Sequence, residues 1–142
     1  MGSVAKIAIV ITEPITTKVK GDRTGPFELE FMLVGESLDD GETWSKPKLL
    51  PAGIFGPTRS SPIRIGNYFV SGSSDEKYVS KIHFELSEDG YTWKKVVPIC
   101  DSALGDCIQP TIIRLSKNKL IAYARSSIGV LVSTKSQDGG SS

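Results

Sequence analysis

Histidine and cysteine are nearly missing from the chain: His83 is the one imidazole, and Cys100 and Cys107 are the two thiols. Two cysteines separated by DSALGD, with one distant histidine, fall short of the four ligands of a structural zinc site, so no metal is expected. The thiols can close a small disulfide loop, but the reading preferred is two reduced, partly buried side chains. Charge of one sign is missing too. Seventeen Lys and Arg stand against sixteen Asp and Glu, a net charge of +1 with no run of like charges. That removes the electrostatic basis for nucleic-acid or membrane-surface binding. The run IAIVI at residues 7–11 is too short for a signal-peptide core or a membrane span, which places the chain in the cytoplasm by default. No cofactor is implied.

Helical spacing is absent as well. No segment of twelve residues or more carries apolar side chains at i, i+3 and i+4. What is present is a period of two. KIAIVIT, FELEFMLV, KPKLLP, SPIRIG, YFVSG, YVSKIHFELS, KKVVPI, PTIIRLS, KLIAYARS and GVLVSTKS each read as a short strand bounded by Gly, Pro, Asn, Asp or Ser. The fold class is therefore all-β. In KIHFEL the alternation puts His83 and Glu85 on the polar face of a strand, where the histidine is expected to be exposed.

The chain also repeats itself. SLDDGETW, SEDGYTW and SQDGGSS begin at Ser37, Ser87 and Ser136, 50 and 49 residues apart. A second series keeps nearly the same step, 48 residues, because SPIRIGNYFVSGSS from Ser61 lines up with QPTIIRLSKNKLIAYARSS from Gln109, Pro62 opposite Pro110. Two independent marks with one period mean a repeated unit of four strands, the signature of a β-propeller blade. At this length residues 1–142 read as a single partial propeller module.

The pattern S-x-D-x-G-x-T-W resembles the Asp-box, or bacterial neuraminidase repeat, and the resemblance runs from about Phe27 to the end of the chain. Ser37, Asp39, Gly41, Thr43 and Trp44 match it throughout. Ser87, Asp89, Gly90, Thr92 and Trp93 match with one residue fewer, and Ser136, Asp138 and Gly140 match as far as the chain runs. The lines GPTRSSPIRIGN and IQPTIIRLSKNKLIAYARSS are similar to the first and second blade strands of sialidase-like propellers. The resemblance implies about half of a six-bladed, four-stranded-blade propeller, with the boxes on the rim opposite the ligand face. Physically a box is a fastener: the carboxylate of Asp39 or Asp89 accepts from turn N–H groups, Gly41 and Gly90 supply positive φ, and the indoles of Trp44 and Trp93 are expected to cover the hairpin against a neighbouring blade. A carboxylate so held is a poor acid or base.

In such a propeller the ligand face is built from loops entering first strands and loops joining second to third strands. That nominates Arg59, Asp106 and Gln109 at first strands and Arg125 at the end of a second, with Asp75, Glu76, Lys77, Asp22 and Arg23 in neighbouring loops. Sialidases, which the chain resembles, grip a sugar carboxylate with arginines and use a tyrosine–glutamate pair, and Arg59 and Arg125 match part of such a cluster. No tyrosine–glutamate pair is legible: Tyr68, Tyr78, Tyr91 and Tyr123 read as strand or turn residues. A carbohydrate ligand is the first expectation; a scaffold or interaction module without catalysis is the second. Self-association is also expected. About three blades leave open edges, so the strand at residues 7–11 and the one near Val130–Ser133 are expected to join a partner in a homodimer or small ring. The stop within the third box equally suits a piece of a longer enzyme.

Overall fold

The computed structural model describes residues 6–11, 15–16, 28–29, 32–75, 80–98 and 102–142; Cys100, Tyr78 and the loop residues Asp22, Arg23, Glu76 and Lys77 lie outside them. All strand pairings among the described residues are antiparallel, and the one helical element is a single 3-10 turn, Ser102–Leu104. The chain divides into two compact units, Met1–Ala52 and Gly53–Ser142.

In the first unit β1 (Lys6–Ile11), β2 (Ile15–Thr16), β3 (Glu28–Leu29), β4 (Met32–Ser37) and β5 (Lys48–Leu49) follow in order. The sheet runs β1-β4-β5, and β2 and β3 form a short ladder of their own. Residues 7–11, for which a second copy is the expected partner, pair with β4 of the same chain from Ile7↔Glu36 to Ile11↔Met32. Val34 and Leu50 are buried, and the Leu50 amide donates to the Met32 carbonyl at 2.8 Å.

The second unit carries β6 (Ile63–Ile65), β7 (Tyr68–Asp75), β8 (Lys81–Ser87) and β9 (Lys94–Val96) in one four-stranded meander. A second sheet follows, β10 (Cys107–Arg114), β11 (Leu120–Ser126) and β12 (Leu131–Ser136). The sequence repeat thus corresponds to two structurally matching hairpins, β6–β7 and β10–β11. Ile65, Val70, Leu86 and Leu120 form one apolar cluster between the sheets, and Ile82, Cys107 and Ala124 form another. Cys107 is buried, its Sγ 3.7 Å from the Gly105 carbonyl.

All three boxes close in the same way. The serine hydroxyl accepts the amide of the box glycine: Ser37 from Gly41 at 2.7 Å, Ser87 from Gly90 at 2.7 Å, Ser136 from Gly140 at 2.8 Å. Those glycines have φ of 97°, 78° and 92°, the left-handed region that a side chain resists. The aspartate then takes the next amides and the hydroxyl, Thr43 on Asp39, Thr92 on Asp89, and Ser142 standing in for threonine on Asp138. Each indole folds back on its own turn, Trp44 Nε1 donating to Gly41 O at 3.1 Å and Trp93 Nε1 to Gly90 O at 2.9 Å. Trp44 is 50% exposed and Trp93 is half-buried.

These bonds favour the ionised carboxylates and lower the pKa of Asp39, Asp89 and Asp138 from 3.8 to about 2. The hydroxyl of Thr43 is the main cause for Asp39, the amide of Thr92 for Asp89 and the hydroxyl of Ser136 for Asp138. Because the folded values lie below the unfolded ones, the contribution to stability is present above pH 3.8 and lost as pH falls toward 2. Melting curves across this window test it: the parent should lose stability on acidification, whereas a variant with all three aspartates replaced by asparagine should start lower and change less. Parallel pH profiles would refute the assignment.

Candidate functional site

The site starts from a close approach. Val70, Ser71, Gly72, Ser73 and Ser74 of β7 are all buried, and β10 lies against them. A Cβ built on Gly72 would stand 2.6 Å from the Pro110 carbonyl oxygen, so only glycine allows this spacing. Once there, β10 is tied to its surroundings by Gln109 N to Ser74 Oγ at 3.3 Å, Cys107 N to Ser80 O at 2.8 Å and Ser60 Oγ to Pro110 O at 3.3 Å.

The strand is not regular at this point. Ile108 pairs with Arg125 and Thr111 with Tyr123, so two residues, Gln109 and Pro110, oppose one on β11. Gln109 is the bulge residue, with a φ of 56° that few side chains adopt. Its amide oxygen accepts from Arg59 Nη1 at 3.4 Å and from Arg125 Nη1 at 3.2 Å. Two exposed guanidiniums from positions 66 residues apart in sequence therefore meet at one neutral acceptor. Among the described residues no carboxylate pairs with either arginine. The cluster keeps both positive charges, and each fork retains donors for an incoming anion.

Of the residues nominated from sequence, Arg59, Gln109 and Arg125 are thus brought together. Asp106 is engaged through its backbone: its amide donates to Ser127 Oγ at 3.0 Å and its carbonyl accepts from Ser127 N at 2.9 Å, which fastens the turn between β11 and β12. Asp75 ends β7 on the side of Ser74.

The polar face of β8 is where expectation and structure part. His83 and Glu85 do alternate with Ile82, Phe84 and Leu86, but that face is covered by residues 53–56, leaving His83 2% and Glu85 0% exposed. The Glu85 carboxylate accepts the Phe55 and Gly56 amides, both at 2.8 Å, and lies 2.9 Å from His83 Nε2. The Phe55 ring lies 5.8 Å from the imidazole, with Lys95 Nζ 5.4 Å from the same ring. Sequence reasoning missed this anchor because its partners lie 29 and 30 positions apart. Sealed from solvent, the pair cannot meet a ligand; it holds the segment that leads into Arg59.

Tyr68 does bond to a glutamate, Glu88, and this raises its pKa, first through the hydrogen bond and then through the negative charge. A phenol held protonated is the opposite of an activated nucleophile. Moreover Tyr68 sits at the box end of β7, six residues or about 20 Å along the strand from Ser74. A groove of about 410 Å³ lined by Val70, Phe84, Val96, Ile112, Leu120 and Ala122 also opens toward the box, at Ser136 and Gly140, and includes none of the arginine cluster.

Comparison with known proteins places these features. The BNR repeat-like domain matches residues 16–142. Two crystal structures of the NanB sialidase from Streptococcus pneumoniae are similar: a complex with 2-[(3-chlorobenzyl)ammonio]ethanesulfonate at TM-score 0.58 and 19% identity, and a point mutant at 0.56 and 18%. Each match covers 82% of this chain and 18% of the sialidase, so the chain spans under a fifth of that length and the likeness shows the fold. No curated protein matches the chain.

Proposed function

The chain belongs to the BNR repeat-like domain family, and from that premise we propose that this sialidase-like repeat module binds the carboxylate of an acidic sugar between Arg59 and Arg125. The observation that carries the reading is the convergence of two exposed guanidiniums on one neutral amide oxygen. A carboxylate offers two oxygens to two forks and neutralises a charge that the fold leaves standing. A scaffold with no ligand has no use for two like charges held together, since their repulsion only costs stability. Binding is the function these residues support, because two guanidinium forks can hold a carboxylate and no carboxylate of the described residues pairs with either.

Chemical-shift titration of the chain with N-acetylneuraminic acid and glucuronic acid, against galactose as the neutral control, tests the proposal. Charge-assisted hydrogen bonds contribute about 1.5–3 kcal/mol each, so Arg59→Ala and Arg125→Ala should each weaken binding of the acids by roughly tenfold to a hundredfold. Affinity should also fall with salt. Equal binding of galactose, or no binding of either acid, would remove the proposal.

A further inference from the structure

We infer that Gln109 is the positioning residue of this site, setting the separation of the two guanidiniums and, by being neutral, leaving them open to an anion; the inference rests on the carboxylate-binding reading above. Three independent features of the residue converge on that role. Its backbone is in the left-handed region at φ 56°, a cost that glycine would avoid and that a residue with no task at the site would not need to carry. It is the bulge residue of β10, with Ile108↔Arg125 on one side and Thr111↔Tyr123 on the other, and a bulge re-aims a side chain out of the strand's alternation. The re-aimed oxygen lies between Arg59 Nη1 and Arg125 Nη1, and the two donors decide which end of the amide faces them.

Chemistry explains why glutamine suits the place. Two guanidiniums repel, and without a shared acceptor each long side chain would swing into water. A carboxylate would hold them more strongly, but it would neutralise them and occupy the donors that a ligand needs. An amide oxygen gathers them with one lone pair each and leaves the charge intact. Both arginines also reach Gln109 from elements that the same strand registers, since Ser60 Oγ bonds to the adjoining Pro110 carbonyl and Ile108 pairs with Arg125.

The test uses two variants of the full chain and two readouts. Gln109→Gly removes the side chain and relieves the backbone, so the fold survives; N-acetylneuraminic acid should bind about tenfold more weakly while the melting temperature holds or rises. Gln109→Glu keeps an acceptor but adds charge; binding should be lost although the arginines stay gathered. Rotation of the guanidinium groups, followed by nitrogen-15 relaxation without ligand, should be restricted in the parent and in Gln109→Glu and free in Gln109→Gly. Restricted rotation that is released in Gln109→Gly, with no acid bound by the parent, would uphold the positioning role and defeat the carboxylate reading instead. Unrestricted arginines in the parent, unchanged affinity in Gln109→Gly from a parent that binds, or affinity retained in Gln109→Glu would overturn the inference.

Discussion

Glu85→Ala should lower the melting temperature by about 10 °C, the largest loss expected of any single truncation in the second unit. Removing the carboxylate leaves the Phe55 and Gly56 amides and the His83 ring without their acceptor in a place that water does not reach. Leaving a buried donor without its acceptor costs about 1–3 kcal/mol, so losing the acceptor of three costs roughly 3–5 kcal/mol, and in a chain of this size each kcal/mol moves the transition by about 2–4 °C. Glu85→Gln should cost less, because one carbonyl oxygen remains to accept an amide. Hydrogen exchange gives the local check: the Phe55 and Gly56 amides should exchange faster in Glu85→Ala than in the parent. Melting within a degree of the parent, with both amides still protected, would show that residues 53–56 are held by something else. The consequence extends to the site, since Arg59 follows Gly56 by three positions and its segment is moored by this carboxylate.

The same pair shows what can and cannot be seen in a sequence. Alternation in KIHFEL correctly separates Ile82, Phe84 and Leu86 from His83 and Glu85, because alternation is a property of one strand. Whether the polar face meets water depends on a loop arriving from another part of the chain, and no local pattern records that. A buried carboxylate with three partners therefore reads as an ordinary surface residue. The boxes are legible for the opposite reason: every partner of Asp39, Asp89 and Asp138 lies within four positions, so spacing and geometry are the same information. Even there the pattern names the tryptophan but not the carbonyl that its ring N–H meets, Gly41 O for Trp44 and Gly90 O for Trp93.

Strand ends and the arginine cluster fall between these cases. The strand read from Pro110 begins at Cys107, and the one read as YFVSG runs on to Asp75, because small buried residues extend the ladder where hydrophobic alternation gives out. Gln109 and Arg59 are legible as neighbours of first strands, and Arg125 as the end of a second. Their meeting at one oxygen needs the bulge at Gln109, and a bulge leaves no mark in a stretch as short as CIQPT.

Gly72→Ala should damage stability and ligand binding together, which makes it the sharpest probe of how the fold builds the site. The added methyl would stand 2.6 Å from the Pro110 oxygen and 3.1 Å from the Pro110 ring, and neither a backbone carbonyl nor a proline ring can turn aside. Overpacking of this kind costs about 1–3 kcal/mol as β7 and β10 move apart. The atom displaced first is the carbonyl that receives Ser60 Oγ, beside the residue that gathers the arginines, so the spacing of Arg59 and Arg125 changes with it. A shift of an ångström there should weaken N-acetylneuraminic acid binding by about tenfold, the worth of one charge-assisted bond. Gly66→Ala is the control: its φ of 57° makes alanine strained by about 1–2 kcal/mol, but a Cβ there meets nothing within 4 Å. Both variants should melt earlier, and only Gly72→Ala should lose affinity. Affinity that falls equally in both would mean that binding follows global stability, and affinity unchanged in Gly72→Ala would mean that the arginine pair does not depend on the approach of β10 to β7.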